Sequence, residues 1–424
     1  MKVLFVSANT EQAHMAVLPL GLACVAESVR QAGHDITVVD LMAEPDAERV
    51  LTSAIEVFQP DCIGVTVRNI DDQNMASPRF LLDETREAIG ICRSRTNAPI
   101  VLGGAGYTLF ARSALTYLGA DMGIAGEGEA AFPELLSRME QGSDISSIAG
   151  LVLPGRDEQI PPARSAGLDA WPLPDVSLLA GSATRHPDAW IPVQTRRGCP
   201  FKCNYCSTFC IEGTASRRRS PGQAADWLAA WTNAGHRQFF FVDNNFNVPA
   251  SYAKELCREI VQRRLDIRFQ AIIYPKHVDW ELAGLMAEAG CVNVSLGFES
   301  GSLPVLQKMN KRFTPNEVRD ISGLFGDAGI ERMGFLLLGG PGETRETVEE
   351  SLAFADGLHL ELLRVTAGIR IYPDTALAAT ALEQGMVTPD DDLLFPRFYL
   401  VPELADWIFP RVKEWAGDRQ NILL

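Results

Sequence analysis

Short apolar runs alternating with amphipathic stretches constrain the fold of this chain more tightly than any single motif. KVLFVSA, ITVVD, DCIGVTV, PIVLGG and DMGIAG follow one another through the first part, each too short for a helix and each rich in consecutive apolar residues. Runs of that kind predict buried strands. The segments between them carry the helical period. Leu22, Val25, Ala26 and Val29 fall at i, i+3, i+4 and i+7 with Gly33 as the stop, and Leu51, Ala54, Ile55 and Phe58 repeat the spacing. Five strand and helix units predict an open parallel sheet with helices on both faces, over residues 1–145.

Residues 146–190 break the alternation. GLVLPGRDEQIPPARSAGLDAWPLP is rich in Pro and Gly and predicts a linker with one short hairpin. From Ile191 the pattern returns as IPVQTR, QFFFVDNNF, IRFQAIIY, CVNVSLGFE, ERMGFLLLGG and LLRVTAGIRIY, each beside an amphipathic stretch. Six strands with intervening helices predict a second unit over residues 191–385 that closes part-way, as an open (β/α)6 barrel. The tail, residues 386–424, holds Phe395, Phe398, Tyr399 and Trp407 and is expected to pack on a barrel end. The fold class expected is α/β, a doubly wound (Rossmann-like) domain followed by a partial barrel.

Composition matters chiefly for location and partners. Met1 leads straight into the first strand without a basic flank, and no stretch approaches the ~18 apolar residues of a membrane helix, so a cytoplasmic protein without a membrane span is expected. A net charge of −16 argues against nucleic acid as a partner. Arg217, Arg218 and Arg219 are a local exception that a solvated face explains equally well.

In a reducing compartment, crowded thiols point to metal or redox chemistry rather than to disulfides. Four of the nine cysteines lie in GCPFKCNYCSTFC, Gly198–Cys210. Cys199, Cys203 and Cys206 are spaced Cys-x-x-x-Cys-x-x-Cys after the first strand of the second unit, at the edge where α/β folds place their sites. Structural zinc prefers four ligands on paired arms, and here only Cys210 could be the fourth; three thiolates suit a four-iron cluster with one iron left open. Cys24, Cys62, Cys92, Cys257 and Cys291 sit within apolar elements and are expected to be buried small hydrophobes.

With Tyr205 as the aromatic residue before the last cysteine, this loop resembles that of the radical S-adenosylmethionine (SAM) enzymes. The resemblance implies a [4Fe-4S] cluster on Cys199, Cys203 and Cys206 whose open iron chelates SAM. An electron donor such as flavodoxin or ferredoxin would reduce it, and SAM would then yield a 5′-deoxyadenosyl radical. Two further stretches carry the likeness. In VNVSLGFESGS, Glu299 falls where the family places an acid against the SAM ribose; in FLLLGGPGET, Gly339, Gly340, Pro341 and Gly342 match the turn that admits the adenosyl part. Lys311 stands where a cation would pair with the SAM carboxylate. FFFVDNNF departs from the family, since Asp243, Asn244 and Asn245 replace a Gly-Gly-Glu run that meets the SAM amino group; Asp243 is the residue carried over to SAM there. From the residues alone, Glu299 could equally be an acid at a helix N-terminus, the glycines a tight turn and Lys311 a surface lysine.

LPLGLACVAESVRQAGHDITVVD, LGGAGYT and GEGEAAFPELL resemble the cobalamin-binding domain of the cobalamin-dependent radical SAM class. Cobalamin is then implied as a further cofactor, bound around Leu20, Gly21, Arg68, Gly103, Gly104, Gly106, Gly126, Glu127 and Gly128. Glycines beyond strand ends leave room for a macrocycle or a nucleotide tail, and a nucleotide-binding or ligand-free fold accounts for them too. None of His14, His34, His186, His236, His277 and His359 has Asp two positions before it, so no Asp-x-His-x-x-Gly ligand to cobalt is expected. Arg68 is expected to face the lower side of the corrin, the alternative being a pair with Asp71 or Asp72.

The two cofactors together imply methylation at an unactivated carbon, or at phosphorus, of a small-molecule substrate. Asp243, Asn245, Tyr274 and Tyr372 end barrel strands and are the candidates for lining the substrate cavity. Rearrangement, cyclisation or ring contraction without methyl transfer is the alternative within the class. A cobalamin or iron–sulfur redox sensor is the non-enzymatic one, and it predicts an output module that the sequence does not show. Methylthio transfer to RNA would call for a basic accessory region, against the acidic balance of the chain.

Overall fold

The computed structural model describes residues 1–11, 18–44, 46–156, 160–185 and 190–424. Two compact units divide the chain, one made of Met1–Asp72 and Arg79–Ile191, the other of Gln73–Pro78 and Pro192–Leu424.

The first unit holds β1 (Lys2–Ser7), β2 (Asp35–Asp40), β3 (Cys62–Thr66), β4 (Ile100–Gly103), β5 (Met122–Ile124) and β6 (Leu151–Val152) in the order β2-β1-β3-β4-β5-β6. The first five strands are mutually parallel, as their continuous apolar runs require, and β6 runs antiparallel to β5. Val3, Phe5, Val101 and Ile124 from the sheet pack with Leu22, Ala26 and Val29 of the helix Leu20–Gln31 and with Phe132, Leu135 and Leu136 of the helix Gly128–Gln141. Burying each large apolar side chain there contributes about 1.5–3 kcal/mol. Gly64 stands mid-strand because the Phe5 ring lies across it, 2.8 Å from where a Cβ would project.

Residues 146–190 differ from the expected linker. Leu151 and Val152 add a sixth strand to the sheet instead of pairing in a hairpin of their own, and the helix Val176–Arg185 follows. A two-residue strand is too short to show a period, which is why the sequence does not reveal it.

The second unit continues with β7 (Ile191–Val193), β8 (Arg196–Arg197), β9 (Arg217–Arg218), β10 (Gln238–Phe241), β11 (Arg268–Ile273), β12 (Cys291–Glu299), β13 (Glu331–Leu338), β14 (Leu362–Ala367), β15 (Ile369–Arg370), β16 (Phe398–Tyr399) and β17 (Ile422–Leu423). Its main sheet has the order β17-β14-β13-β12-β11-β10-β7, so the six expected strands are present in sequence. The tail does more than pack on an end, since Ile422 and Leu423 extend the sheet by a seventh strand parallel to β14. Parallel pairing from β10 to β14 brings the carboxyl ends of those strands to one edge. Among the described residues no helix is long and apolar enough to cross a membrane.

Candidate functional site

The cysteine loop leaves the barrel edge through a turn that only glycine fits. Gly198 has φ +93°, and a Cβ there would lie 2.1 Å from the Ala215 carbonyl oxygen. Beyond it Cys199 N donates to Gly213 O at 3.0 Å, Asn204 N to Met309 O at 3.1 Å, and Leu377 N to Asn204 O at 2.9 Å, so both flanks of the loop are tied to neighbouring segments. Asn310 adds two bonds, from Nδ2 to the carbonyls of Phe201 at 3.0 Å and Lys202 at 2.8 Å, the latter residue in a left-handed conformation.

Cys203 is buried, and Cys199, Tyr205 and Cys206 pack beside it against one apolar cluster that includes Phe201, Tyr274, Phe298 and Phe313. Burial pushes the Cys199 thiol up to about 11 and the Cys203 thiol upward; the neighbouring thiols add to both shifts and the Lys311 ammonium opposes them. Three thiols on one tied loop, in mutual electrostatic reach, form a donor set that suits an iron–sulfur cluster. Among the described residues they are not drawn into a closed three-ligand metal site. Cys210 contacts the carbonyls of Pro373 and Asp374, its sulfur 4.0 Å from each, which does not favour the four-thiolate zinc arrangement.

Tyr205, Glu299 and Lys311 come together as one bonded trio. Glu299 ends β12 at φ +62°, where the register with β13 shifts, and its Oε1 accepts from Tyr205 Oη at 2.9 Å and from Lys311 Nζ at 3.1 Å. Burial pulls the Lys311 ammonium down, yet the charge of Glu299 and the bond to Tyr205 hold it well above its ordinary value. With a side chain only 6% exposed, Lys311 is not a surface lysine.

Gly339, Gly340, Pro341 and Gly342 form a turn whose own needs account for its glycines. Gly339 has φ +92° and Gly342 φ +75°, and a Cβ at Gly342 would lie 2.1 Å from Lys308 Nζ. The backbone N–H groups of Gly339 and Gly340 both donate to Glu343 Oε2, the second at 3.0 Å. Glu343, which the sequence reading passed over, is 2% exposed, and its Oε1 is buried with no hydrogen-bond partner. Burial raises its carboxyl to about 7, against a partial counter-effect of the two N–H donors. A folded-state value above the unfolded one means the contribution to stability is full below about 4.5 and is lost as pH rises through about 7. Glu343→Gln is therefore expected to remove about 3 kcal/mol of pH-dependent stability between pH 4 and 8. Urea melts of both proteins across that range check it; parallel curves would contradict the assignment.

The four expected cavity residues separate. Asp243 is fully buried, and its oxygens accept from Thr195 N at 2.7 Å, Thr195 Oγ1 at 2.5 Å and Arg196 N at 3.0 Å, with Arg196 Nε at 3.6 Å. It holds the chain between β7 and β8, with its oxygens committed to Thr195 and Arg196 in place of the cavity-lining and SAM-contact roles expected for it. Tyr274 is likewise a packing residue: its ring stacks on Phe201 with centroids 3.8 Å apart, and its Oη accepts from Arg312 N at 2.9 Å. Tyr372 is half-buried, its ring 5.2 Å from the Arg370 guanidinium and its carbonyl accepting from Thr375 Oγ1 at 2.7 Å. Asn245 alone reaches a cysteine, with Nδ2 3.7 Å from Cys199 Sγ.

Arg196, Asn247 and Met75 are further residues that sequence reasoning missed. Arg196 donates to the carbonyls of Phe246, at 2.6 Å, and Val248. Asn247 bonds the backbone of Tyr274 and Lys276 through Nδ2 at 2.9 and 2.7 Å. Met75 joins the second unit from a segment otherwise surrounded in sequence by the first, and packs against the apolar cluster of the cysteines. Gly368, at φ +83°, makes room for it; a Cβ there would lie 2.2 Å from Met75 Sδ.

In the first unit the parallel strands end in a row of loops. Gly104 and Gly106 bring one of them against another: a Cβ on Gly104 would lie 2.5 Å from Val67 O, and Gly106 N donates to Arg68 O at 3.0 Å. Gly126 and Gly128 are packed in the same sense, against Pro162 and Val25. Glu127 accepts from Ser165 N at 3.2 Å, and Leu20 is buried. Gly21 and Gly103 are different, because a Cβ at either would meet nothing closer than 3.9 Å, leaving open space of the kind a flat ligand can use. Arg68 is exposed and lines a small crevice at this edge with Thr66, Asn69, Glu84 and Thr85. His14 and His186 lie outside the described residues.

Comparison with known proteins agrees with both units. The B12 binding domain family matches residues 7–136 and the radical SAM superfamily matches residues 193–355. An uncharacterized methyltransferase of Pyrococcus horikoshii is 29% identical over 400 residues, covering 91% of this chain and 84% of its own. Tryptophan 2-C-methyltransferase of Streptomyces laurentii is 26% identical over 446 residues, covering 89% and 74%. The solved structure of the radical SAM methyltransferase TsrM from Kitasatospora setae, with cobalamin and a [4Fe-4S] cluster bound, superposes with a TM-score of 0.88 at 23% identity, covering all of this chain and 90% of that one.

Proposed function

We propose, from the premise that the chain belongs to the radical SAM superfamily and carries a B12 binding domain, that it is a cobalamin-dependent methyltransferase acting on a carbon of a small molecule. The observation that carries this reading is the cysteine loop at the barrel edge with the half-buried, mutually bonded trio of Tyr205, Glu299 and Lys311 against it. Relatives named as methyltransferases over most of both chains support methyl transfer in particular.

When bound, a [4Fe-4S] cluster on Cys199, Cys203 and Cys206 would supply the electron that cleaves SAM, and cobalamin on the first unit would carry the methyl group. The chain's own residues position the reactants. Lys311 offers an ammonium to the SAM carboxylate, Glu299 an acceptor for ribose hydroxyls, and Tyr205 keeps Glu299 turned toward the loop. Their exclusion from water strengthens each contact. The turn at Gly339–Gly342, packed against Leu400 and Lys308, would offer its backbone to the adenosyl part. Arg68, exposed on the crevice at the strand ends of the first unit, would offer its guanidinium to the bound cobalamin. A small flavodoxin- or ferredoxin-type protein serves as electron donor.

Anaerobic reconstitution with iron, sulfide and hydroxocobalamin is expected to give about four irons and one cobalt per chain. Turnover with SAM labelled in its methyl group with deuterium, tryptophan being the first substrate to offer, tests the reaction. Label in the product is expected. 5′-Deoxyadenosine formed together with an altered but unlabelled product would overturn methyl transfer in favour of rearrangement or cyclisation.

A further inference from the structure

We propose that Asn245 and Thr208 donate hydrogen bonds to the sulfurs of Cys199 and Cys206 and thereby set the reduction potential of the cluster. The inference rests on the cluster reading above and adds a role for side chains outside the ligand set. Asn245 presents its amide to Cys199 Sγ, with Nδ2 at 3.7 Å and Oδ1 at 3.8 Å. An iron-bound thiolate can only accept, so it selects the orientation with the NH2 group toward sulfur.

The amide has little freedom to do otherwise. Asn245 is 3% exposed and lies between two residues whose polar atoms are committed. On one side Asp243 is bound by Thr195 and Arg196. On the other, Asn247 donates to Tyr274 O and Lys276 O while its Oδ1 accepts from Tyr274 N at 2.9 Å. A donor held this way meets the sulfur without water competing for it.

Thr208 is a second, independent contact. Its Oγ1 lies 3.3 Å from Cys206 Sγ and 3.3 Å from Asn244 Oδ1, and Asn244 is held in turn by its Nδ2 bond to Glu212 Oε2 at 2.7 Å. The hydroxyl proton thus faces two acceptors, of which a sulfur carrying negative charge is the stronger. Asn245, with Asn244 behind Thr208, therefore serves the sulfur side of the site, in the place where the family carries a Gly-Gly-Glu run for the SAM amino group. Hydrogen bonds to ligand sulfurs stabilise the reduced cluster more than the oxidised one and raise its potential.

Redox titration of the reconstituted full-length protein, followed by electron paramagnetic resonance, tests this with wild type, Asn245→Leu, Thr208→Val and the double variant. The single variants are expected to keep wild-type iron while their midpoint potentials move to more negative values, with the largest shift in the double variant. Iron-loaded variants with the wild-type potential would overturn the proposal. Should Asn245→Leu fail to load, Thr208→Val decides, since it replaces a hydroxyl by a methyl group of the same shape; an unchanged potential there assigns both residues to packing. Wild-type protein that binds no iron would overturn the cluster reading itself, and that outcome is recognised before any potential is measured.

Discussion

Cys203→Ala is expected to abolish reductive cleavage of SAM, with a loss of at least ~10³-fold, and to bring the iron content of reconstituted protein to a small fraction of wild type. Two remaining thiolates leave a second cluster iron without a protein ligand, and the open position can no longer be confined to a single iron. The fold should tolerate the change. Cys203 behaves as a small buried hydrophobe, and truncating its thiol costs on the order of 1 kcal/mol against an apolar cluster that holds Phe201, Tyr274 and Phe298. Circular dichroism and a thermal melt close to wild type, with iron and activity gone, are the result that supports the assignment. Cys210→Ala serves as the contrast. It is expected to retain iron, and loss of metal in that variant would revive a four-thiolate site.

Asp243→Ala is expected to destabilise the barrel unit by about 3–5 kcal/mol, because it strands the buried guanidinium of Arg196. Arg196 is 2% exposed, and burial already lowers its ordinary value while Asp243 holds it up. The Asp243 carboxyl is raised by the same burial and lowered by Arg196 and its three donors. Both charges are therefore desolvated and depend on one another. Taking ~2–4 °C per kcal/mol for a unit of this size, the melting temperature should fall by roughly 10 °C. Asp243→Asn, which keeps one acceptor for Thr195 N or Arg196 N, should fall by less. A residue engaged in chemistry would give another pattern, an unchanged melt with lost turnover, and that outcome would return Asp243 to the candidate cavity residues.

The misplacement of Asp243 shows where reading a sequence stops. A carboxylate after an apolar strand looks the same in sequence whether it faces a substrate or is consumed by the backbone of a segment 48 positions earlier. Glu343 was passed over for a related reason, since its partners are two N–H groups of the turn it closes. Met75 is further out of reach, because its contact with Gly368 joins segments separated by most of the chain. By contrast Cys199, Cys203 and Cys206 were legible at once, as ligands on one loop must be closely spaced. Glu299 and Lys311 were each found by position in a motif, but their bond to one another was not.

By itself the sequence determined the two α/β units, the succession of their long strands along the chain and the thiol-rich loop of the second. These depend on periods of two to four residues and on spacing within a single turn of chain, which are local properties. Tertiary structure alone decided which polar side chains are spent on the scaffold and which remain available, the short strands β6 and β17, and the meeting of Asn245 with Cys199. Burial and pairing across sheets join residues remote in sequence, and no local pattern encodes a distance between them.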